Sequence, residues 1–146
     1  MTIDIDDPIL LRIAALADQK DLEAFVVGGF VRDALMGRSR TDIDITIVGD
    51  ALSFAQDVAE LFNSKAVVFE RFRTAMVPIT DHQIEFVGTR QEKYDKDSRN
   101  PEVSVGTLED DLRRRDFTVN AMAASLQTDN LGEVIDLFDG KTDLQN

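Results

Sequence analysis

The chain has 146 residues, 43% hydrophobic and 30% charged, the size and balance of one globular domain that can bury a core without covalent staples. It contains no cysteine and a single histidine, which excludes a disulfide framework, a thiolate zinc site and a cysteine nucleophile. Any resident metal must therefore be held mainly by oxygen, which favours Mg²⁺ or Mn²⁺ over zinc. With 16 basic against 28 acidic residues the formal charge is −12, which argues against gripping a nucleic-acid backbone by general attraction. No apolar run approaches bilayer length, and the opening MTIDIDDPILLRIAAL lacks the basic region and cleavage site of a signal peptide. A cytoplasmic protein without membrane contact is expected.

Pro8 to Lys20 reads as an amphipathic helix, with Ile9, Ile13, Leu16 and Ala17 at helical spacing and proline in the first turn. A short apolar run, Ala24 to Val27, closes on Gly28-Gly29. A helix from Phe30 to Met36 follows and stops at Gly37. Thr41 to Val48 alternates strictly, Ile43, Ile45 and Ile47 against Asp42, Asp44 and Thr46, the period of a half-buried strand. Ala51 to Phe62 is a helix with Leu52, Ala55, Ala59 and Phe62 on one face, followed by strand-like runs at Ala66 to Phe69, Thr74 to Ile79 and Gln83 to Val87. Gly88 to Gly106 is charged, interrupted by Pro101 and without sustained periodicity, so a long mobile loop is expected. Leu108 to Leu126 reads as a helix with a cationic start, and Glu133 to Leu137 as a last short strand. The sum is a mixed α/β (α+β) domain whose sheet is mostly antiparallel and flanked by helices.

Asp42 and Asp44 are two apart on a strand, which turns both carboxylates to one face with Cα atoms about 6–7 Å apart, a spacing suited to sharing divalent ions. The same pair would also keep an exposed strand face soluble. Two successive glycines ahead of a helix let the backbone approach an anion, a triphosphate above all, although Gly28-Gly29 would equally serve a tight turn. Arg113, Arg114 and Arg115 crowd the start of a helix, where cations oppose the macrodipole; they suit phosphate oxygens, or else form a solvated patch neutralised by Glu109, Asp110 and Asp111. Asp116 and Asn120, four apart on that helix, could orient an arginine or hydrogen-bond a ribose and base. Glu85 becomes a third carboxylate if its strand lies beside that of Asp42 and Asp44. His82 is expected in a polar turn without a catalytic part, and Phe54, Phe62, Phe69 and Phe72 in packing.

Taken together, Gly28-Gly29-Phe30-Val31-Arg32-Asp33, then Asp42-Ile43-Asp44, resembles the motif GGxVRD followed by DxD of the class II tRNA nucleotidyltransferase (CCA-adding enzyme) and bacterial poly(A) polymerase family, which is related to the DNA polymerase β superfamily. Arg114 to Ala123 resembles that family's RRDFTxNAxA, and Asp136-Leu137-Phe138-Asp139-Gly140 the strand and turn after it. The resemblance spans roughly Ala24 to Leu144. It implies a nucleotidyltransferase head domain over residues 1–146, with neck, body and tail domains lying outside the chain. It also implies Asp42 and Asp44 as holders of Mg²⁺ (or Mn²⁺), with Glu85 as a third acid. Gly28, Gly29, Arg32, Arg114, Arg115, Asp116 and Asn120 would contact the incoming nucleotide. Tyr94 to Leu112 is similar to the family's flexible loop, whereas the base-selecting EDxxR motif does not occur in the sequence.

The activity so implied is template-independent addition of CMP and AMP from CTP and ATP to the 3′ end of tRNA, with release of pyrophosphate. The tRNA would be gripped mainly by the other domains, so this head alone is expected to be inactive or weakly active. Two alternatives share the visible motifs: a poly(A) polymerase adding AMP to RNA 3′ ends, and a nucleotide-binding module without turnover.

Overall fold

The computed structural model describes residues 2–38, 42–69, 71, 74–94, 101–105 and 122–136, the backbone alone for 90–94 and 101–105. Helix α1 (Pro8–Gln19) begins where Asp7 caps it, the Asp7 carboxylate accepting from the Ile9 N–H at 2.8 Å, and its buried stripe is Leu10, Ile13, Ala14 and Ala17. Strand β1 (Glu23–Val27) leads into the short helix α2 (Gly29–Leu35), then β2 (Asp42–Val48). Helix α3 (Ala51–Leu61) is capped by Asp50, which accepts from the Ser53 N–H at 3.1 Å, and precedes β3 (Val67–Phe69), β4 (Thr74–Ile79) and β5 (His82–Gly88). Strands β6 (Arg90–Tyr94), β7 (Pro101–Val105), β8 (Met122–Ser125) and β9 (Val134–Asp136) complete the described order.

Seven strands form one sheet in the order β3-β4-β5-β2-β1-β8-β9, antiparallel throughout except where β2 runs parallel to β5. That parallel pair needs a long crossover, supplied by α3 and the β3–β4 excursion. Helices α1, α2 and α3 feed one core on one sheet face, where Val26, Ile43, Ile45, Ile47, Ile84 and Phe86 are buried against Leu10, Ile13, Val31, Phe54 and Val58. Phe54 of α3 meets Phe86 of β5 edge to face at 5.8 Å, and each such buried ring contributes about 1.5–3 kcal/mol over an exposed one. A smaller cluster, Phe25, Val27 and Ala123 with Val48 and Ile135, occupies the opposite face.

The mixed, mostly antiparallel sheet matches expectation, and the elements from α1 to β5 lie within a residue or two of their predicted bounds. Two expectations are corrected. The segment expected as a mobile loop contains β6 and β7, which pair antiparallel as a separate two-stranded sheet from Arg90↔Val105 to Tyr94↔Pro101. Their sequence is largely polar, so backbone pairing rather than an apolar stripe defines them, and periodicity had little to register. The end of the expected 108–126 helix is strand β8, with all four residues buried. A short small-residue run buried on both faces carries no period that separates helix from strand. Residues 106–121 lie outside the described residues. Among the described residues no helix is long and apolar enough to cross a membrane.

Candidate active site

The site is built at one end of the sheet, because the antiparallel pairing of β1 with β2 brings the finish of β1 beside the start of β2. Val27 is directly opposite Asp44. Parallel pairing of β2 with β5 then sets Asp44 beside Glu85 and Asp42 beside Gln83. Side chains of directly paired residues share a face, so Asp42, Asp44 and Glu85 stand together on the face away from the helices, beside Val27 and Ala123. The alternation that buries Ile43 and Ile45 is what turns the two aspartates outward; Asp42 is exposed and Asp44 half-buried. Thr46, next along the same face, is fully buried.

Glu85 carries the electrostatic signature of this arrangement. Partial burial at the sheet surface and the neighbouring Asp44 charge both push its carboxyl above the ordinary carboxylate range. An acidic pair that disfavours its own ionisation is a place where a cation gains from binding. The donors are all oxygen, which fits Mg²⁺ or Mn²⁺. Among the described residues, however, no three acidic or imidazole side chains converge tightly enough to enclose an ion unaided, so the set fits an open site completed by ligands from elsewhere.

Gly28 and Gly29 make the turn from β1 into α2. Gly28 caps α2 with φ 66° and ψ −126°, a conformation that side-chain-bearing residues avoid, and its N–H donates to the Met122 carbonyl at 3.0 Å. The start of β8 is thereby fixed beside the same turn; Arg114, Arg115, Asp116 and Asn120 precede it in the sequence. Those four residues themselves lie outside the described residues. Arg32 is in the last turn of the seven-residue α2, its N–H bonded to the Gly28 carbonyl at 3.1 Å and its guanidinium Nε 3.2 Å from the Asp33 carboxylate. The structure thus groups Asp42, Asp44 and Glu85 on one face and joins Gly28, Gly29 and Arg32 to the same sheet end.

Two contacts escaped the sequence reading. Asp33 meets Arg32, although neighbours in a helix normally diverge, and only its place in the motif marked it. His82, expected in a turn, begins β5 and has its Nε2 2.8 Å from an Asp7 carboxylate oxygen, tying the cap of α1 to the sheet. No sequence signal links positions so far apart.

Comparison with known proteins supplies a frame for this site. A family model described as the poly A polymerase head domain matches residues 24–146. An A-adding tRNA nucleotidyltransferase of Aquifex aeolicus (strain VF5) is 38% identical over 125 residues, covering 86% of this chain and 15% of that protein. A CCA-adding enzyme of Enterococcus faecalis (strain ATCC 700802 / V583) is 37% identical over 141 residues, covering 95% and 32%. A crystal structure of a tRNA nucleotidyltransferase complexed with a primer tRNA and an incoming ATP analog superposes with a TM-score of 0.79 at 34% identity, over 91% of this chain and 36% of that one. The chain thus spans a third or less of the length of these two relatives.

Proposed function

The chain belongs to the poly A polymerase head-domain family, and from that premise we propose that it is the nucleotidyltransferase head of an enzyme that adds CMP and AMP to the 3′ end of tRNA. The observation that carries this reading is the pair Asp42 and Asp44 on one strand face, at the sheet end where the Gly28-Gly29 turn delivers α2. CTP and ATP are the proposed substrates and the tRNA 3′ end the acceptor, in a cytoplasmic setting.

Asp42 and Asp44, with Glu85 beside them, would hold Mg²⁺, which when bound activates the 3′-hydroxyl and neutralises charge on the α-phosphate during in-line displacement. Glu85 takes part as a carboxylate, and a cation bound beside it would oppose the upward shift that burial and the Asp44 charge impose. The backbone at Gly28 and Gly29 admits the triphosphate closely because no Cβ intervenes, and Arg32 supplies a guanidinium for its oxygens. Arg114, Arg115, Asp116 and Asn120 are proposed to contact the same nucleotide near its sugar and phosphates. The buried threonine, Thr46, and the apolar neighbours Val27 and Ala123 give the acids a rigid, half-desolvated support, so that positioning and electrostatics supply most of the rate.

The relatives include A-adding, CC-adding and CCA-adding enzymes at nearly equal identity, which supports nucleotide choice being made outside the shared head. The test is calorimetric titration of CTP and ATP with Mg²⁺, beside Asp42→Ala/Asp44→Ala, followed by extension of a tRNA primer lacking its terminal CCA. Binding that requires both the metal and the two acids is expected. A tail of A alone on any RNA would turn the assignment to a poly(A) polymerase, and binding without turnover by the longer protein would leave a nucleotide-binding module.

A further inference from the structure

We infer that Asp33 is a positioning residue for nucleotide binding, holding the Arg32 guanidinium by its Nε so that the group is presented to the triphosphate in one orientation. This rests on the reading that Arg32 meets the triphosphate. The two residues are consecutive on α2, where side chains at i and i+1 diverge by about 100°. Their contact at 3.2 Å therefore requires the arginine to fold back along the helix instead of extending into solvent. Asp33 is the more sheltered of the pair, its side chain 14% exposed against 32% for Arg32, so the carboxylate is the fixed member and the guanidinium the one being held. Engagement through Nε commits one edge of the planar guanidinium to Asp33 and turns the Nη–Nη edge elsewhere, the edge that binds phosphate oxygens in bidentate fashion.

The electrostatics favour this device. Arg32 lies in the last turn of the seven-residue α2, where the helix dipole already favours a cation, so the Asp33 carboxylate is not needed to offset a charge penalty and acts on the orientation of the group. The Asp33 backbone closes the end of α2, its carbonyl accepting from the Arg38 N–H at 2.7 Å and the Met36 N–H at 3.1 Å. Substitution of the side chain leaves those bonds in place, which separates orientation from folding.

The experiment compares Asp33→Ala, Asp33→Asn, Arg32→Ala and the Asp33→Ala/Arg32→Ala pair, measuring Kd for CTP, ATP and inorganic tripolyphosphate in Mg²⁺ alongside Tm. Losing one charge-assisted hydrogen bond to the guanidinium is expected to weaken all three ligands about tenfold in Asp33→Ala. Asp33→Asn, which keeps an acceptor, should recover part of that loss. In the Arg32→Ala background, removal of Asp33 should change affinity less than about twofold, because its target is gone. Multiplying losses in the double variant, or wild-type affinity in Asp33→Ala beside impaired Arg32→Ala, would overturn the positioning role and leave the triphosphate reading standing. Unchanged affinity in Arg32→Ala, or no binding by the parent chain, would overturn both. Should Asp33→Ala not fold, the Asn variant carries the comparison, and full affinity there with lowered Tm would assign Asp33 a purely structural part.

Discussion

Gly28 and Gly29 are adjacent, yet their backbone conformations differ, so on the proposed function alanine at each should fail in a different way. Gly28 holds φ 66° with ψ −126°, a region that costs a residue bearing Cβ on the order of 1–3 kcal/mol. Relieving that strain by rotating the backbone would disturb its hydrogen bond to the Met122 carbonyl at 3.0 Å, about 1 kcal/mol more. Gly28→Ala should therefore lose about 2–4 kcal/mol, a fall in Tm of roughly 5–15 °C for a domain of this size. Gly29 is the first residue of α2 with ordinary helical backbone, so Gly29→Ala should be equal in stability or up to about 1 kcal/mol better. Its expected defect is in the proposed ligand contact: a methyl group where the triphosphate is proposed to approach should weaken CTP binding at least tenfold, about 1.4 kcal/mol. Urea denaturation and calorimetric titration of both variants decide the matter. A Gly28→Ala protein within about 0.5 kcal/mol of the parent, or a Gly29→Ala protein that binds nucleotide normally, would refute the division.

Three further outcomes are expected. Glu85 has a raised pKa in the folded chain, so the folded state binds more protons than the unfolded one just above the usual carboxylate range, and stability contributed by this group falls as pH rises through that interval. In EDTA, Glu85→Gln should then raise Tm relative to the parent at pH 7 and lose that advantage near pH 4; a pH-independent difference would contradict the origin assigned to the shift. Gly132 has φ 82°, and a Cβ there would lie 2.1 Å from the Ile3 carbonyl oxygen. Gly132→Ala should displace the first residues, cut the Ile3 N–H bond to the Gly132 carbonyl and cost about 2–4 kcal/mol in denaturant titration. Thr80, in the two-residue turn between Ile79 and His82, has φ 51°, which disfavours a β-branched residue; Thr80→Asn should gain about 0.5–1 kcal/mol, and a loss would show that the threonine side chain is itself needed.

The alternation of Ile43, Ile45 and Ile47 with Asp42, Asp44 and Thr46 was enough to define β2, its buried face and the outward carboxylates, because a strand has a fixed period of two. The stripes of α1 and α3 and the Gly28-Gly29 turn were equally legible, since each is decided within a few residues by local sterics, whereas the caps Asp7 and Asp50 emerged only in the structure. Even the resemblance that named the acids rests on strings in the chain. What the sequence could not supply was adjacency. That Glu85 stands beside Asp44 depends on β2 choosing β5 as a parallel neighbour across an intervening helix and hairpin, a choice made by burial of Ile84 and Phe86 in the shared core. The same holds for Met122, whose short apolar run read as helix until insertion between β1 and β9 made it strand, and for His82 meeting Asp7. Local conformation follows from neighbours along the chain, whereas the shifted carboxyl of Glu85 and the grouping of the acids are properties of strand order, which only the packed core decides.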